Sequence, residues 1–363
     1  MPLIGFDAQA TQGPQSGLGV CTTHLLSALK ERLDPSLELR VYQKELSVGQ
    51  GFTTLQRLLW ENWTLPGRVR RDKIDLLHIP AFAPAFYGCC AHLVVTVHDI
   101  AGMLFPNQIG KASAFYWGWW LPHVIRRADW ILVDSLYTRR DLIEHLRIPE
   151  TRISVVYPSG HEAFATNIPA AKIESVKNKY GIRDHYFLFV GTLEPRKNLP
   201  RVLDAFKVFL EKHQDHQLVL VGSQAFAHGK YVEQLTRDHG LASTSVLAPG
   251  FLDHDSLNAL YCGSQGLVFP SLYEGFGIPI LEAMASGCPV ITSNATSTPE
   301  VAGDAGILVD PYSIEEITDS INQLAENPSL RRKLVDRGFV QIKKFSWKAT
   351  ADGVIEAYKK LLN

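Results

Sequence analysis

The chain has 363 residues, 46% hydrophobic and 20% charged, with 36 basic against 37 acidic side chains and a net charge of −1. Its length exceeds what one hydrophobic core ordinarily serves and predicts two domains, while the charge balance excludes a global field that would draw it to nucleic acid. The cysteines, at positions 21, 89, 90, 262 and 288, are odd in number and lack C-x-x-C spacing, so neither a disulfide framework nor a zinc site is indicated, and a reducing compartment fits.

MPLIGFDAQ lacks a basic leader region and a long apolar run, so the N-terminus reads as a first strand and not as a signal peptide. No stretch is apolar for long enough to span a bilayer, and a cytoplasmic location is expected. Short apolar runs then alternate with amphipathic stretches. In the first half they predict strands over 3–8, 37–42, 74–79, 92–98, 130–135 and 152–158, and in the second over 186–192, 217–223, 244–250, 266–271, 289–293 and 306–310. Continuous apolar strands suit a sheet covered on both faces, and strand–helix alternation predicts parallel doubly wound α/β sheets. SGHEAFATNIPAAK (159–172) is the linker, and a helix over 172–181 stops at Gly181. The predicted domains are 1–165 and 166–345, with a terminal helix over 346–363. Two such halves would face one another across a cleft, and ligands bind beyond the carboxyl ends of the strands.

Four segments fall at those ends. GPQSGLGVCTTHLLSAL (13–29) follows the first strand, and Gly17 and Gly19 would let backbone approach a ligand. It is neither a complete G-x-G-x-x-G nor a P-loop; a flexible turn before a helix is the competing reading. In VTVHDI, His98 ends a strand; a lone histidine is more often structural than catalytic. In FLFVGTLEPRKNLPRVLDAF (187–206), Arg196 and Lys197 follow Gly191. Adjacent cations suit a diphosphate, and cations at a helix N-terminus oppose its dipole, which points to an anionic ligand over a solvated charge pair. In YEGFGIPILEAMASG (273–287), Glu274 lies on a loop, Pro279 opens a helix carrying Glu282, and Gly287 ends it. Backbone amides at Gly275 and Gly277 would face an anion, with a carboxylate on either side accepting sugar hydroxyls. Dipole complementation is the competing reading for Glu282; Glu274 has no comparable one.

These residues carry a resemblance. SGLG after the first strand, HD at 98–99, GTLEPRKN at 191–198, EGFGIPILEAMASGCPVI at 274–291, TPEVAGDAGILVDP at 298–311 and FSW at 345–347 together resemble the GT-B glycosyltransferases of the large retaining family numbered four, with its E-x7-E motif. The resemblance spans nearly the whole chain and is most similar to bacterial mannosyltransferase-type members. It implies two Rossmann-like doubly wound domains around a central cleft, and transfer of a hexose from a nucleotide sugar with retention of configuration by a front-face route. Arg196 and Lys197 would hold the diphosphate, assisted by backbone at Gly191, Phe276, Gly277 and Ile278. Glu282 would hold the ribose, Glu274 and His98 would contact the donor sugar, and Gly17 and Gly19 would cover the phosphates. The terminal helix would cross back to the N-terminal domain. No cofactor and no metal are implied, and Asp253 or Asp255 of the D-x-D-like DHD is expected as a helix cap.

GDP-mannose is the favoured donor, with UDP-glucose and UDP-GlcNAc as alternatives. A glycan or lipid-linked acceptor would bind the N-terminal half. There, 57–73 and 111–127 are rich in Trp, Tyr and Arg and suit weak peripheral contact with the cytoplasmic membrane face, against a reading in which most of these aromatics face the core. Readings of other classes are a nucleotide-sugar epimerase, which would need no acceptor, and a noncatalytic sugar-nucleotide-binding protein. A dinucleotide oxidoreductase would need a fuller glycine fingerprint.

Overall fold

The computed structural model describes residues 1–12, 17–44, 46, 54–81, 91–108, 110–222 and 230–362. The chain forms two compact units, Met1–Ser159 with Phe345–Asn363, and Gly160–Lys344.

The first unit holds strands β1 (Leu3–Asp7), β2 (Glu38–Tyr42), β3 (Leu76–Ile79), β4 (His92–Val97), β5 (Trp130–Val133) and β6 (Ile153–Val155). They form one sheet in the order β2-β1-β3-β4-β5-β6, and every pairing is parallel. All four residues of β3 are buried, as expected of a strand covered on both faces. On one face, Trp60, Leu65, Val69, Leu121 and Ile125 pack against Leu77, Val95 and Ile131. On the other, Leu25 and Leu29 of helix Gly17–Arg32 and Ala351, Val354 and Tyr358 of helix Trp347–Leu362 cover Ile4, Phe6, Leu76 and Leu132. His78 of β3 fastens the terminal helix. Its Nδ1 lies 2.7 Å from the Tyr358 hydroxyl and its Nε2 2.9 Å from the Thr96 hydroxyl, while burial pushes its pKa down to about 3 and keeps the ring neutral.

The second unit holds β7 (Tyr186–Val190), β8 (Gln217–Val221), β9 (Val246–Gly250), β10 (Leu267–Phe269), β11 (Val290–Ser293) and β12 (Gly306–Val309). Their order is β12-β11-β10-β7-β8-β9, again parallel throughout. Helix Leu199–Leu210 buries Val202, Leu203, Phe206 and Phe209 against this sheet. Helix Ala170–Tyr180 ends at Gly181 in the left-handed region, φ 70°, the residue expected to stop it.

The unit boundary falls at 159/160 and 344/345, against the expected 165/166 and 345/346. Phe164 packs edge-on against His254 and Tyr261 of the second unit, and Phe345 packs against Tyr157 of the first.

The strand orders locate the sites. Chain order reverses between β1 and β3 in the first sheet and between β7 and β10 in the second. At such a reversal the flanking connections leave toward opposite faces, opening a crevice at the carboxyl ends.

Candidate active site

In the second unit, the two strands flanking the reversal deliver the charged residues expected from the sequence. Beyond β7, Pro195–Lys197 forms one 3-10 turn, and Asn198 takes the left-handed conformation, φ 66°. Asn198 is buried, and its amide donates to the carbonyls of Pro270 (3.0 Å) and Pro311 (2.6 Å). This ties the β7 loop to the ends of β10 and β12. Leu272 N–H donates to the Arg196 carbonyl at 2.8 Å, fixing the two loops in register.

Beyond β10, Glu274 meets both cations. Lys197 Nζ donates to Oε1 at 2.6 Å and an Arg196 terminal nitrogen to Oε2 at 2.9 Å. Arg196 Nε also donates to Glu194 at 2.8 Å. Glu274 is 5% exposed and Lys197 7%, so neither charge would persist there unpaired. Burial acts to raise the Glu274 pKa, yet Lys197 and Arg196 hold it below its ordinary value. Burial pulls the Lys197 pKa down while Glu274 opposes. Two cations and two carboxylates sum to zero.

The Glu274 backbone is held from β11. Thr296 Oγ1 accepts the Glu274 N–H at 3.2 Å, and Ser297 Oγ lies 2.9 Å from the carbonyl oxygens of both Glu274 and Phe276. Thr296 has φ 59°, a costly conformation for a β-branched residue. Gly275, Phe276 and Gly277 are buried, and Ile278 is partly exposed. Phe276 is 4% exposed and carries the loop inward, so the glycines expected to face an anion stand in a buried loop. Gly277 has φ 106° and N-caps helix Ile278–Ala285; a Cβ there would lie 3.1 Å from Ile280 Cδ1 in a conformation L residues avoid.

Glu282 is the fifth residue of that helix, beyond its first turn, so dipole complementation does not account for it. It is partly buried, and the Tyr261 hydroxyl donates to Oε2 at 3.1 Å. Burial pushes its pKa up to about 7. Gly191 closes β7 at φ 140°, and its N–H donates to the Val221 carbonyl. Asp253 N-caps helix His254–Gly263, accepting the Ser256 N–H at 2.8 Å.

In the first unit, His98 follows β4. Its Nδ1 lies 2.7 Å from Asp134 and its Nε2 2.7 Å from the Pro80 carbonyl oxygen. Burial would lower its pKa, but Asp134 attraction and these hydrogen bonds outweigh it and push it up to about 9. Both nitrogens face acceptors, so His98 presents an imidazolium charge and no free N–H. It lines a small cavity with Thr22, Thr96, Asp134 and Trp347. Gly17 and Gly19, expected in a loop, form the first turn of helix Gly17–Arg32. Residues 13–16 of that expected loop, and Cys89 and Cys90, lie outside the described residues.

Asn198, Thr296, Ser297, Tyr261 and Asp134 escaped sequence reasoning. Only Asn198 left a signal, in directly following the two cations. The other four are 21 to 36 residues from the residues they hold. The aromatic stretches divide: Trp60, Leu65 and Leu121 are buried, whereas Trp63, Phe115 and Trp119 are 66%, 60% and 44% exposed. Among the described residues, no helix is long and apolar enough to cross a membrane.

Residues 172–341 match the family described as glycosyl transferases group 1, and residues 19–159 match glycosyltransferase family 4. The chain is 34% identical to the O-antigen chain mannosyltransferase B of Escherichia coli over 273 residues, 74% of this chain and 70% of that protein. It is 33% identical to the serotype-specific mannosyltransferase WbdA of Escherichia coli over 238 residues, 65% of this chain but 29% of that longer protein. Among solved structures, HepE of Anabaena in complex with UDP-glucose superposes with TM-score 0.72 at 18% identity, covering 99% of each chain. That last likeness establishes the two-unit GT-B fold.

Proposed function

The chain belongs to the family 4 glycosyltransferases and is a hexosyltransferase, and we propose that it moves mannose from GDP-mannose to a hydroxyl of a glycan or lipid-linked acceptor with retention of configuration. The observation that carries the reading is the convergence of Arg196, Lys197 and Glu274 at the reversal between β7 and β10. The mannosyltransferase names of two relatives favour mannose.

In this reading the bond from C1 of the sugar to the β-phosphate oxygen breaks, leaving negative charge on the diphosphate and positive charge on the sugar. The acceptor oxygen bonds to C1 on the same face, and its proton passes to the departing phosphate. Arg196 and Lys197 stabilise the departing anion, a term worth about 3–4 kcal/mol for one well-placed donor. Because the free constellation is neutral, the diphosphate competes with Glu274 for the cations. A released Glu274 then accepts a hydroxyl of the donor sugar. Glu282 accepts the ribose hydroxyls. The backbone at Gly191, Phe276, Gly277 and Ile278 completes the diphosphate site. In this reading Gly17 and Gly19 would cover the phosphates, and His98, its ring fixed by Asp134 and Pro80, would contact the donor sugar.

No metal and no cofactor take part in this reading; the use of Asp253 as a cap supports it, and activity abolished by EDTA and restored by Mg2+ would overturn it. Exposed Trp63, Phe115 and Trp119 beside exposed Arg70, Arg126 and Arg127 support weak peripheral contact with an anionic membrane face. Absence of binding to anionic liposomes at low salt would remove that part.

The first test is thermal unfolding with saturating GDP, UDP or ADP in the absence of metal. A ligand at about 100 times its Kd adds roughly 2.7 kcal/mol. A selective rise with GDP is expected and leads to transfer assays with GDP-mannose; a selective rise with UDP would overturn the choice of donor.

A further inference from the structure

The other reversal of strand order, between β1 and β3, carries acids that the donor chemistry does not use. Asp7 is the last residue of β1 and is 3% exposed. Its Oδ1 accepts the Gln9 N–H and the Trp60 Nε1–H, both at 3.1 Å. The residue after Trp60 is Glu61, 2% exposed, whose Oε1 has no hydrogen-bond partner among the described residues.

The local backbone presents this side chain. Trp60–Thr64 is a π-helical turn, followed by helix Leu65–Arg71 with Pro66 in its first positions. Pro66 has no N–H to give the carbonyl four residues back, and its ring crowds that carbonyl, so the turn widens. The widened turn buries Trp60 and Glu61 while leaving Trp63 exposed. An interior position serving packing alone would favour an apolar side chain, since a buried carboxyl without a donor is destabilising.

The chemistry of the pair narrows what it binds. Burial raises both acids, Asp7 to about 6 and Glu61 to about 8; Asp7 repels the Glu61 charge and Arg57 attracts it. The two acids thus offer a proton donor and, at Glu61 Oε1, an acceptor oxygen with no partner among the described residues. An anion would be repelled. For a metal ion, no group of three or more ligating side chains occurs among the described residues. A sugar hydroxyl, which donates and accepts at once, matches what is offered.

We propose that Asp7 and Glu61, held by Trp60 at the carboxyl end of β1, form a subsite for hydroxyls of the acceptor sugar. This rests on the glycosyl-transfer reading above and adds the residues that recognise the acceptor.

Saturation-transfer NMR on the full chain tests it, with methyl α-mannoside, methyl α-glucoside and methyl β-galactoside as probes. At least one should give a signal with the wild type. Glu61→Met, similar in size but unable to bond a hydroxyl, and Asp7→Asn should each weaken that probe at least tenfold. Glu61→Gln keeps an acceptor oxygen and should weaken it about threefold; it carries the comparison alone should the other two fail to fold. The GDP-induced thermal shift reports the second unit and should be equal in all of them. Equal probe affinity in wild type and folded variants, or no signal from any hexoside with the wild type, overturns the subsite. Loss of the GDP shift in the wild type would count against the donor reading alone, leaving the hexoside signals to judge the subsite.

Discussion

Glu274→Gln separates donor binding from transfer, because Glu274 occupies the cations that the diphosphate needs. Lys197 and Arg196 contact its two oxygens at 2.6 and 2.9 Å. Hydrogen bonds to charged groups contribute about 1.5–3 kcal/mol each, roughly twice the neutral value. A diphosphate that displaces a carboxylate gives up two such bonds; one that displaces an amide gives up about half as much. The difference, reduced by water at the partly exposed Arg196, comes to about 1.5–2 kcal/mol, or ten- to thirtyfold tighter GDP binding. Without ligand the variant is weaker, because removing one partner of a buried ion pair costs about 3 kcal/mol or more. For a unit of this size that is a fall of about 6–12 °C in Tm, reversed by GDP. Transfer falls about 100-fold, the order lost with one transition-state contact. Calorimetric titration with GDP at pH 7.5, thermal unfolding with and without GDP, and transfer from GDP-mannose read these three quantities. GDP affinity that is unchanged or weaker in the variant, alongside the lowered Tm, would refute displacement of Glu274.

Two further predictions concern pH. Burial holds the Glu282 pKa near 7, and ribose hydroxyls donate to its ionised form; nucleotide affinity should therefore rise as pH increases through 7 and level off above it. Glu282→Gln should flatten this profile over pH 5.5–8.5, and a slope that persists would remove Glu282 from the ribose site. His98 has a folded pKa raised from 6.5 to about 9. Its ion pair with Asp134 thus stabilises the first unit fully below pH 6.5, and the contribution, roughly 3 kcal/mol, is lost as pH rises through 9. Glu61 and Glu282, also raised, tilt stability the same way, so the readout is the denaturation difference between wild type and His98→Asn. That difference should shrink from pH 6 to pH 10; a constant difference would show that the pairing does not titrate there.

Secondary structure was legible because it is local. Each of the twelve apolar runs became a strand, shortened by one to four residues at its ends, where polar residues, glycine and proline mostly take over. Asp253 took its expected place because an N-cap bonds a backbone N–H three residues away. EGFGIP announced its own turn, since glycine is the residue that caps a helix at φ 106° with proline following. One misreading also has a local cause. Gly17 and Gly19 suggested a loop, but glycine in the first turn of a long helix is affordable when Leu25 and Leu29 anchor the rest.

The sequence by itself determined the family, the two parallel sheets and the residue types at the strand ends, because side-chain periodicity and motif spacing are properties of neighbours along a chain. Only the tertiary structure decided how those residues are used. It set Glu274 on both Arg196 and Lys197 across 78 and 77 residues, closed both nitrogens of His98 on Asp134 and Pro80, and left an oxygen of Glu61 without a partner among the described residues. Charge state and hydrogen-bond occupancy depend on what a side chain meets in space, and strand order, which sequence pattern does not encode, brings those partners together.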